Sequence, residues 1–200
     1  MQNTTRIDRR VVKTKQAINK AFLELYSEKD IEHITINDIA DRADVNRGTV
    51  YHHYLDKFDL LDQIINEHLN RLKQYCTPHE DESGRLLLIN ELKPVFDYFE
   101  ANFSFFSTLL TNRSSSMFRE RLMQFVSAEL RKKLAASDRQ LDIDHELNAQ
   151  FMASSFVGIV EWWIRHGMPH PPQYMAEQLS RLLVKNDVYP VSIIDAPNHG

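Results

Sequence analysis

The stretch TINDIADRADVNRGTVYHHYLDK, Thr35 to Lys57, decides the fold of this chain. It reads as a short helix, a tight turn and a second short helix. Thr35 can cap a helix, and Asp38 stands three residues later, the spacing of a capping box. Ile36, Ile39, Ala40 and Ala43 follow at helical intervals and make one apolar face. Ala40 is small enough to let another helix cross closely. Asp44 falls at the turn, and Asp is one of the few residues besides Gly that tolerates a left-handed backbone. Val45 returns to the core, and Asn46 is a good cap for the next helix. That helix, about Arg47 to Tyr54, turns Val50 and Tyr54 inward. Arg47, Thr49, Tyr51, His52 and His53 lie mostly on its other faces. Two short helices joined in this way predict a helix-turn-helix, whose second helix fits a DNA major groove.

The side chains suit that groove. Arg donates two hydrogen bonds to guanine, and a Thr methyl meets the thymine methyl. Tyr and His donors suit phosphate oxygens, which fix register without reading bases. Asp56 then caps a further helix with Lys57 in its first turn. A cation there opposes the helix dipole, so an anionic partner would account for it.

From about Lys13 to Leu61 the chain resembles the DNA-binding domain of the TetR/AcrR family of bacterial transcription regulators. The matching parts are Ala17-Ile18, Ala21-Phe22, Ile34-Thr35-Ile36 and Ile39-Ala40. The specific part is Arg47-Gly48-Thr49-Val50-Tyr51-His52-His53-Tyr54, followed by Lys57 and Leu60-Leu61. Two positions depart from the family pattern: Asp44 stands where Gly is usual in the turn, and Asp30 where Gly usually follows the first helix. The residues expected at the DNA are Thr35, Asn37, Asn46, Arg47, Gly48, Thr49, Tyr51, His52, His53 and Lys57.

Composition agrees with one large or two small globular domains: 200 residues, of which 42% are hydrophobic and 26% charged. No apolar run reaches the ~18 residues of a membrane span. The N-terminus is basic and polar, unlike a signal peptide. The single Cys76 rules out an internal disulfide. These features place the expected compartment in the cytoplasm. The net charge of −4 looks wrong for a DNA binder, but a local basic patch matters more than the sum. Arg6, Arg9, Arg10, Lys13, Lys15 and Lys20 supply one, opposed only by Asp8. Arg6 to Arg10 read equally well as a solvated tail or as an arm along phosphates.

Periodicity is helical nearly throughout. The predicted architecture is all-α: a three-helix helix-turn-helix domain plus a C-terminal helical bundle, about nine helices in total. The boundaries are residues 1–55 for DNA binding, 56–76 for a connecting helix, 77–187 for an effector and dimerisation domain, and 188–200 for a tail. Joints are expected at Thr77 to Gly84, Asn112 to Ser115, Asp138 to Asp142 and Gly167 to Pro172. Pro94 is expected to kink or divide the fifth helix.

The resemblance implies that helices eight and nine pair with their copies in a homodimer. Phe151, Ser155, Gly158, Ile159, Trp163, Met175, Leu179 and Leu182 are the candidates for that contact. Phe96, Phe99, Phe103, Phe105, Phe106, Met117, Phe118, Phe125, Met152, Phe156 and Trp162 are candidates for a ligand pocket. Taken singly, each of these residues reads more readily as plain core than as pocket lining. Phe103 to Leu110 and Gly158 to Pro169 also resemble, loosely, a subgroup that includes regulators of dihydroxyacetone kinase operons.

Enzyme motifs are absent: no GxSxG, P-loop or HExxH. His52 and His53 are adjacent on a helix and point about 100° apart, which does not suit one metal. No catalytic residue, cofactor or metal is expected. The reading is a DNA-binding transcriptional regulator: a ligand-responsive homodimeric repressor on a palindromic operator, its partners being double-stranded DNA, its own copy and a small-molecule effector, with no membrane. The alternative is a coactivator or adaptor-type regulator whose C-terminal domain binds a protein instead of a small molecule.

Overall fold

The computed structural model of the protein describes residues 9–75, 88–111, 115–136 and 143–185. Among the described residues every regular element is helical. They are α1 (Arg9–Glu28), α2 (Ile36–Arg42), α3 (Arg47–His53), α4 (Lys57–Tyr75), α5 (Leu88–Ala101), α6 (Phe103–Thr111), α7 (Ser115–Ala136), α8 (His145–Arg165) and α9 (Pro172–Lys185), with a 3-10 turn at Ile31–His33. The expected joint at Thr77 to Gly84, most of the joint at Asn112 to Ser115, the turn at Asp138 to Asp142, the tail, Arg6 and Cys76 lie outside the described residues. The chain divides into two compact units between His68 and Leu69, inside α4.

The first unit is built by α1, α2, α3 and the start of α4. Ile18, Ala21, Phe22, Leu25 and Tyr26 form the buried stripe of α1 at helical spacing. Ile39 and Ala40 of α2, Val50 of α3, and Leu60, Leu61, Ile64 and Ile65 of α4 are buried in the same unit, where α2 packs on α1 and on α3. Phe22 and Tyr26 stack with ring centroids 5.7 Å apart. Phe58, in the first turn of α4, is 44% exposed.

In the second unit, α8 packs on α7 and α6, and α9 packs on α5. Its centre is aromatic. Phe99 and Phe106 lie 4.6 Å apart by centroid, and Phe96 meets Trp163 edge-on at 5.3 Å. Edge-to-face and tilted contacts are the arrangements that the ring quadrupole favours. Pro94 lies within α5 without dividing it. At the end of α8, Gly167 (φ 70°) and Met168 (φ 55°) are left-handed, and Met168 N–H donates to Trp163 O at 2.8 Å. This C-terminal turn satisfies carbonyls that the helix would otherwise leave open. Trp163 Nε1 donates to His170 O at 2.8 Å and ties the turn to α8.

Candidate nucleic-acid interface

Local chemistry positions the two short helices. Thr35 and Asp38 form a reciprocal capping box on α2: Asp38 N–H donates to Thr35 Oγ1 at 3.1 Å, and Thr35 N–H donates to Asp38 Oδ2 at 2.9 Å. Lys29 Nζ also donates to Asp38 Oδ2, at 2.9 Å. These bonds hold the Asp38 carboxyl down at about 2, with Lys29 the largest cause and the Thr35 donors next. At the far end of α2, Arg42 grips Glu28 of α1 with two parallel bonds of 2.8 and 2.9 Å. The Arg42 hydrogen bond lowers Glu28, and the same bond raises Arg42. Glu28, the last residue of α1, and Lys29 just beyond it thus bond to α2 near both of its ends.

Asp44 adopts φ 53°, the left-handed conformation expected at the turn. Val45 N–H closes the turn onto Ala40 O at 3.0 Å. Asn46 then caps α3, its Oδ1 accepting from Gly48 N–H at 2.8 Å. A Cβ on residue 48 would sit 3.3 Å from that same Oδ1, so the tight cap favours glycine there.

The inward anchors of α3 are Val50, fully buried, and Tyr54. Tyr54 donates its hydroxyl to Asn19 Oδ1 at 2.8 Å, and burial pushes its phenol up to about 12. With these two facing in, Arg47, Gly48, Tyr51 and His52 are exposed, and Thr49 and His53 half-buried. Thr35, Asn37 and Asn46 are exposed as well, and Lys57 is half-buried. All ten residues expected at the DNA therefore belong to the first unit. Two pairings were not legible in the chain. Arg47 Nη2 donates to the Tyr51 hydroxyl at 3.2 Å and its guanidinium lies 5.3 Å from that ring's centroid. Lys57 Nζ donates to Glu32 O at 2.9 Å, reaching the 3-10 turn.

The electrostatics favour an anion. The first turn of α1 holds no acid, and Arg9, Arg10 and Lys13 there are exposed. Burial, then the charges of His52 and Lys15, push the His53 imidazole down from its ordinary value. His53 is thereby better suited to neutral hydrogen bonding than to acting as a cation at pH 7. Among the described residues no cluster of His, Cys, Asp and Glu fits a metal, and no helix is long and apolar enough to cross a membrane.

The second unit holds a half-open cavity of about 90 Å3. Of the pocket candidates, Phe99, Phe125, Met152 and Phe156 line it. Phe96, Phe105, Phe106 and Phe118 do not; they are buried in the aromatic core. Met117 is half-buried away from the lining. Phe103 and Trp162 are exposed on the surface. Leu72, Leu88, Leu122, Glu91, Glu129 and Lys133 complete much of the wall. Glu91 and Lys133 form an ion pair 42 positions apart in sequence, a separation that no local pattern reveals.

The residues expected at a contact of α8 and α9 with a second copy divide by burial. Trp163, Met175 and Leu179 are buried within their own chain and are core. Phe151 is 51% exposed and Trp162 44%. Leu147, Gly158, Tyr174 and Leu182 are exposed too, and Ser155 and Ile159 half-buried. On α8 the exposed positions 147, 151, 158 and 162 recur at intervals of four and seven, one helical face. The Trp162, His170 and Tyr174 rings carry that face around the turn to α9, with centroids 6.4 and 4.6 Å apart in succession.

Comparison with known proteins agrees with this architecture. A profile described as "Bacterial regulatory proteins, tetR family" matches residues 18–64. A second, "Transcriptional regulator C-terminal region", matches residues 89–185. The chain is 30% identical over 193 residues to an uncharacterized HTH-type transcriptional regulator, YxbF of Bacillus subtilis, covering 88% of this chain and 46% of that protein. It therefore spans about half the length of that relative. It is 23% identical over 157 residues to the HTH-type transcriptional regulator SrpR of Pseudomonas putida, covering 74% and 73%. Among solved structures, a TetR transcriptional regulator from Streptococcus agalactiae is 28% identical, with TM-score 0.61, over 88% of this chain and 96% of that one. The dihydroxyacetone kinase operon activator DhaS shares the fold at TM-score 0.62 and 21% identity, over 88% and 98%.

Proposed function

The chain belongs to the TetR family of bacterial transcriptional regulators, and from that premise we propose that it is a ligand-responsive homodimeric repressor of a palindromic operator. The observation that carries the DNA half of this reading is α3: Val50 and Tyr54 anchor it, and Arg47, Tyr51 and His52 are left exposed. Arg47 and Thr49 read bases, and Tyr51, His52, His53 and Lys57 hold phosphates. Thr35, Asn37, Asn46 and Gly48 line the same approach.

The apolar face of Phe151, Gly158, Trp162 and Leu182 supports self-association, since an exposed patch of this kind marks an interaction surface. Two copies related by a twofold axis place two reading helices on half-sites about 34 Å apart or slightly more. The cavity of the second unit takes the effector. Helix α4 belongs in part to each unit, so it is the connection through which the effector acts. The effector changes DNA affinity only by binding one spacing of the reading helices better than another.

Selection from randomised duplexes with the full chain tests this. The enriched sites should carry two inverted half-sites, and an effector should lower the affinity for them. A single unrepeated element would overturn the dimeric reading, and an effector that tightens binding would overturn release by the effector.

A further inference from the structure

We propose that the cavity of the second unit takes an uncharged apolar molecule with a single ring, selected by its apolar area and not by a charged head group. This rests on the ligand-responsive reading above and names the chemical class of the effector. The wall is almost wholly apolar. Among its residues Leu72, Phe99, Leu122 and Met152 are at most 2% exposed, and Phe125, Val126 and Phe156 are half-buried. Such a wall holds a ligand by the apolar area it removes from water. The volume sets the size. About 90 Å3 is several times the roughly 10–15 Å3 that one water takes up on the same measure, and less than the roughly 150 Å3 of an engineered apolar cavity that binds benzene. Because this cavity is half open, one ring fits with an edge in the mouth. A long chain or a fused polycycle does not fit inside.

Charge decides the class. Three ionisable residues belong to the wall, Glu91, Glu129 and Lys133, and each already has an opposite charge. Glu91 pairs with Lys133, and Glu129 pairs with Lys132 at 2.7 Å. These four charges sum to zero, so a ligand of either sign finds no uncompensated partner. An ammonium that displaced Lys133 from Glu91 would exchange one cation for another. A carboxylate that displaced Glu91 from Lys133 would exchange one anion for another, and would leave a side chain only 7% exposed without its cation. Either ion still gives up its own hydration, which the exchange does not restore. A charge of either sign therefore weakens binding, and the neutral molecule is preferred.

The probes are benzene, toluene, benzylamine and benzoate, titrated at pH 7 into the full chain carrying 13C-methyl methionine. The methyl resonance of Met152, identified by its loss in Met152→Leu, reports occupancy of the cavity, and affinity for the selected DNA duplex is measured alongside. Toluene should shift that resonance and bind about fourfold tighter than benzene, the worth of one more buried carbon. Benzylamine and benzoate should each bind at least about tenfold weaker than toluene, the loss expected when a polar group ends up unpaired in a sheltered site. Val126→Phe, which adds a ring to the wall at a half-buried position, should weaken toluene at least about tenfold while urea unfolding stays cooperative. Should that variant not fold, the Met152 resonance of the parent locates the site by itself. If benzylamine or benzoate binds as tightly as toluene, the uncharged class is overturned and an effector site remains. If no probe binds, or toluene binds without moving the Met152 methyl, the proposal falls. If toluene binds with the stated preference and DNA affinity stays constant, the class of occupant stands and the ligand-responsive reading falls.

Discussion

Trp162 and Trp163 are neighbours in sequence and opposites in the fold, and substituting each in turn separates association from folding. Trp162 is 44% exposed and Trp163 is fully buried. A Trp buries about 250 Å2 at most, so the exposed part of Trp162 amounts to roughly 110 Å2. At about 25 cal/mol per Å2 this is worth about 2.7 kcal/mol when another copy covers it. In a twofold dimer the same patch appears on both sides, so Trp162→Ala counts twice, about 5 kcal/mol at most. Ordering and imperfect desolvation reduce the yield of area at an interface. Half of that maximum still weakens the dimer about a hundredfold. Sedimentation equilibrium over a range of concentrations reads the change directly, and urea unfolding of the monomeric variant should show an intact cooperative fold. Trp163→Ala should do the reverse. It opens a cavity beside Phe96 and leaves the His170 carbonyl without its donor, at a cost of about 3–5 kcal/mol in stability. A Trp162→Ala protein that dimerises as tightly as the parent would refute the assignment of this face.

Four further outcomes test the first unit. Arg47→Ala should lose about 1–3 kcal/mol at one cognate base pair and relax specificity there; equal loss on every duplex makes Arg47 a phosphate contact. Because Tyr51 holds Arg47 by a hydrogen bond and its ring, a double-mutant cycle of Arg47→Ala with Tyr51→Phe should show coupling of about 0.5–1 kcal/mol in operator affinity, and additive losses would separate the two. Asp44→Val puts a β-branched residue at φ 53° and should destabilise the fold by more than about 1 kcal/mol in urea, whereas Asp44→Gly should not. The Asp38 carboxyl is held at about 2, below its ordinary 3.8. A depressed carboxyl adds stability above its unfolded value and loses it as pH falls from about 3.8 towards 2. Urea midpoints of the parent and of Asp38→Asn should therefore differ at pH 5 and converge near pH 2; a constant gap would mean that the carboxyl's charge contributes nothing.

The reading unit was legible because its determinants are local. A capping box needs residues three apart, a cap needs residues two apart, and the left-handed turn needs one residue that tolerates it. Thr35 with Asp38, Asn46 with Gly48, and Asp44 meet those conditions inside a few residues of chain. Val50 and Tyr54, four apart, then leave only certain faces of α3 for Arg47 and Tyr51. In the second unit the same logic stops short. Helix α8 carries large apolar residues on more than one face, so periodicity separates Trp162 from Trp163 by about 100° without saying which faces inward. Phe96, Phe106 and Phe118 matched a pocket lining equally well and are core.

What the sequence determined by itself was the family, the all-helical architecture and the capped helices α2 and α3, because short-range hydrogen bonds and backbone preferences depend on near neighbours. What only the tertiary structure decided was which apolar surface is covered and which remains open. Packing of α8 on α7 and α6 buries Trp163 and exposes Trp162. Packing also joins Glu91 of α5 to Lys133 of α7 across 42 positions. Burial is a property of what another helix covers, and no spacing along a single helix encodes it.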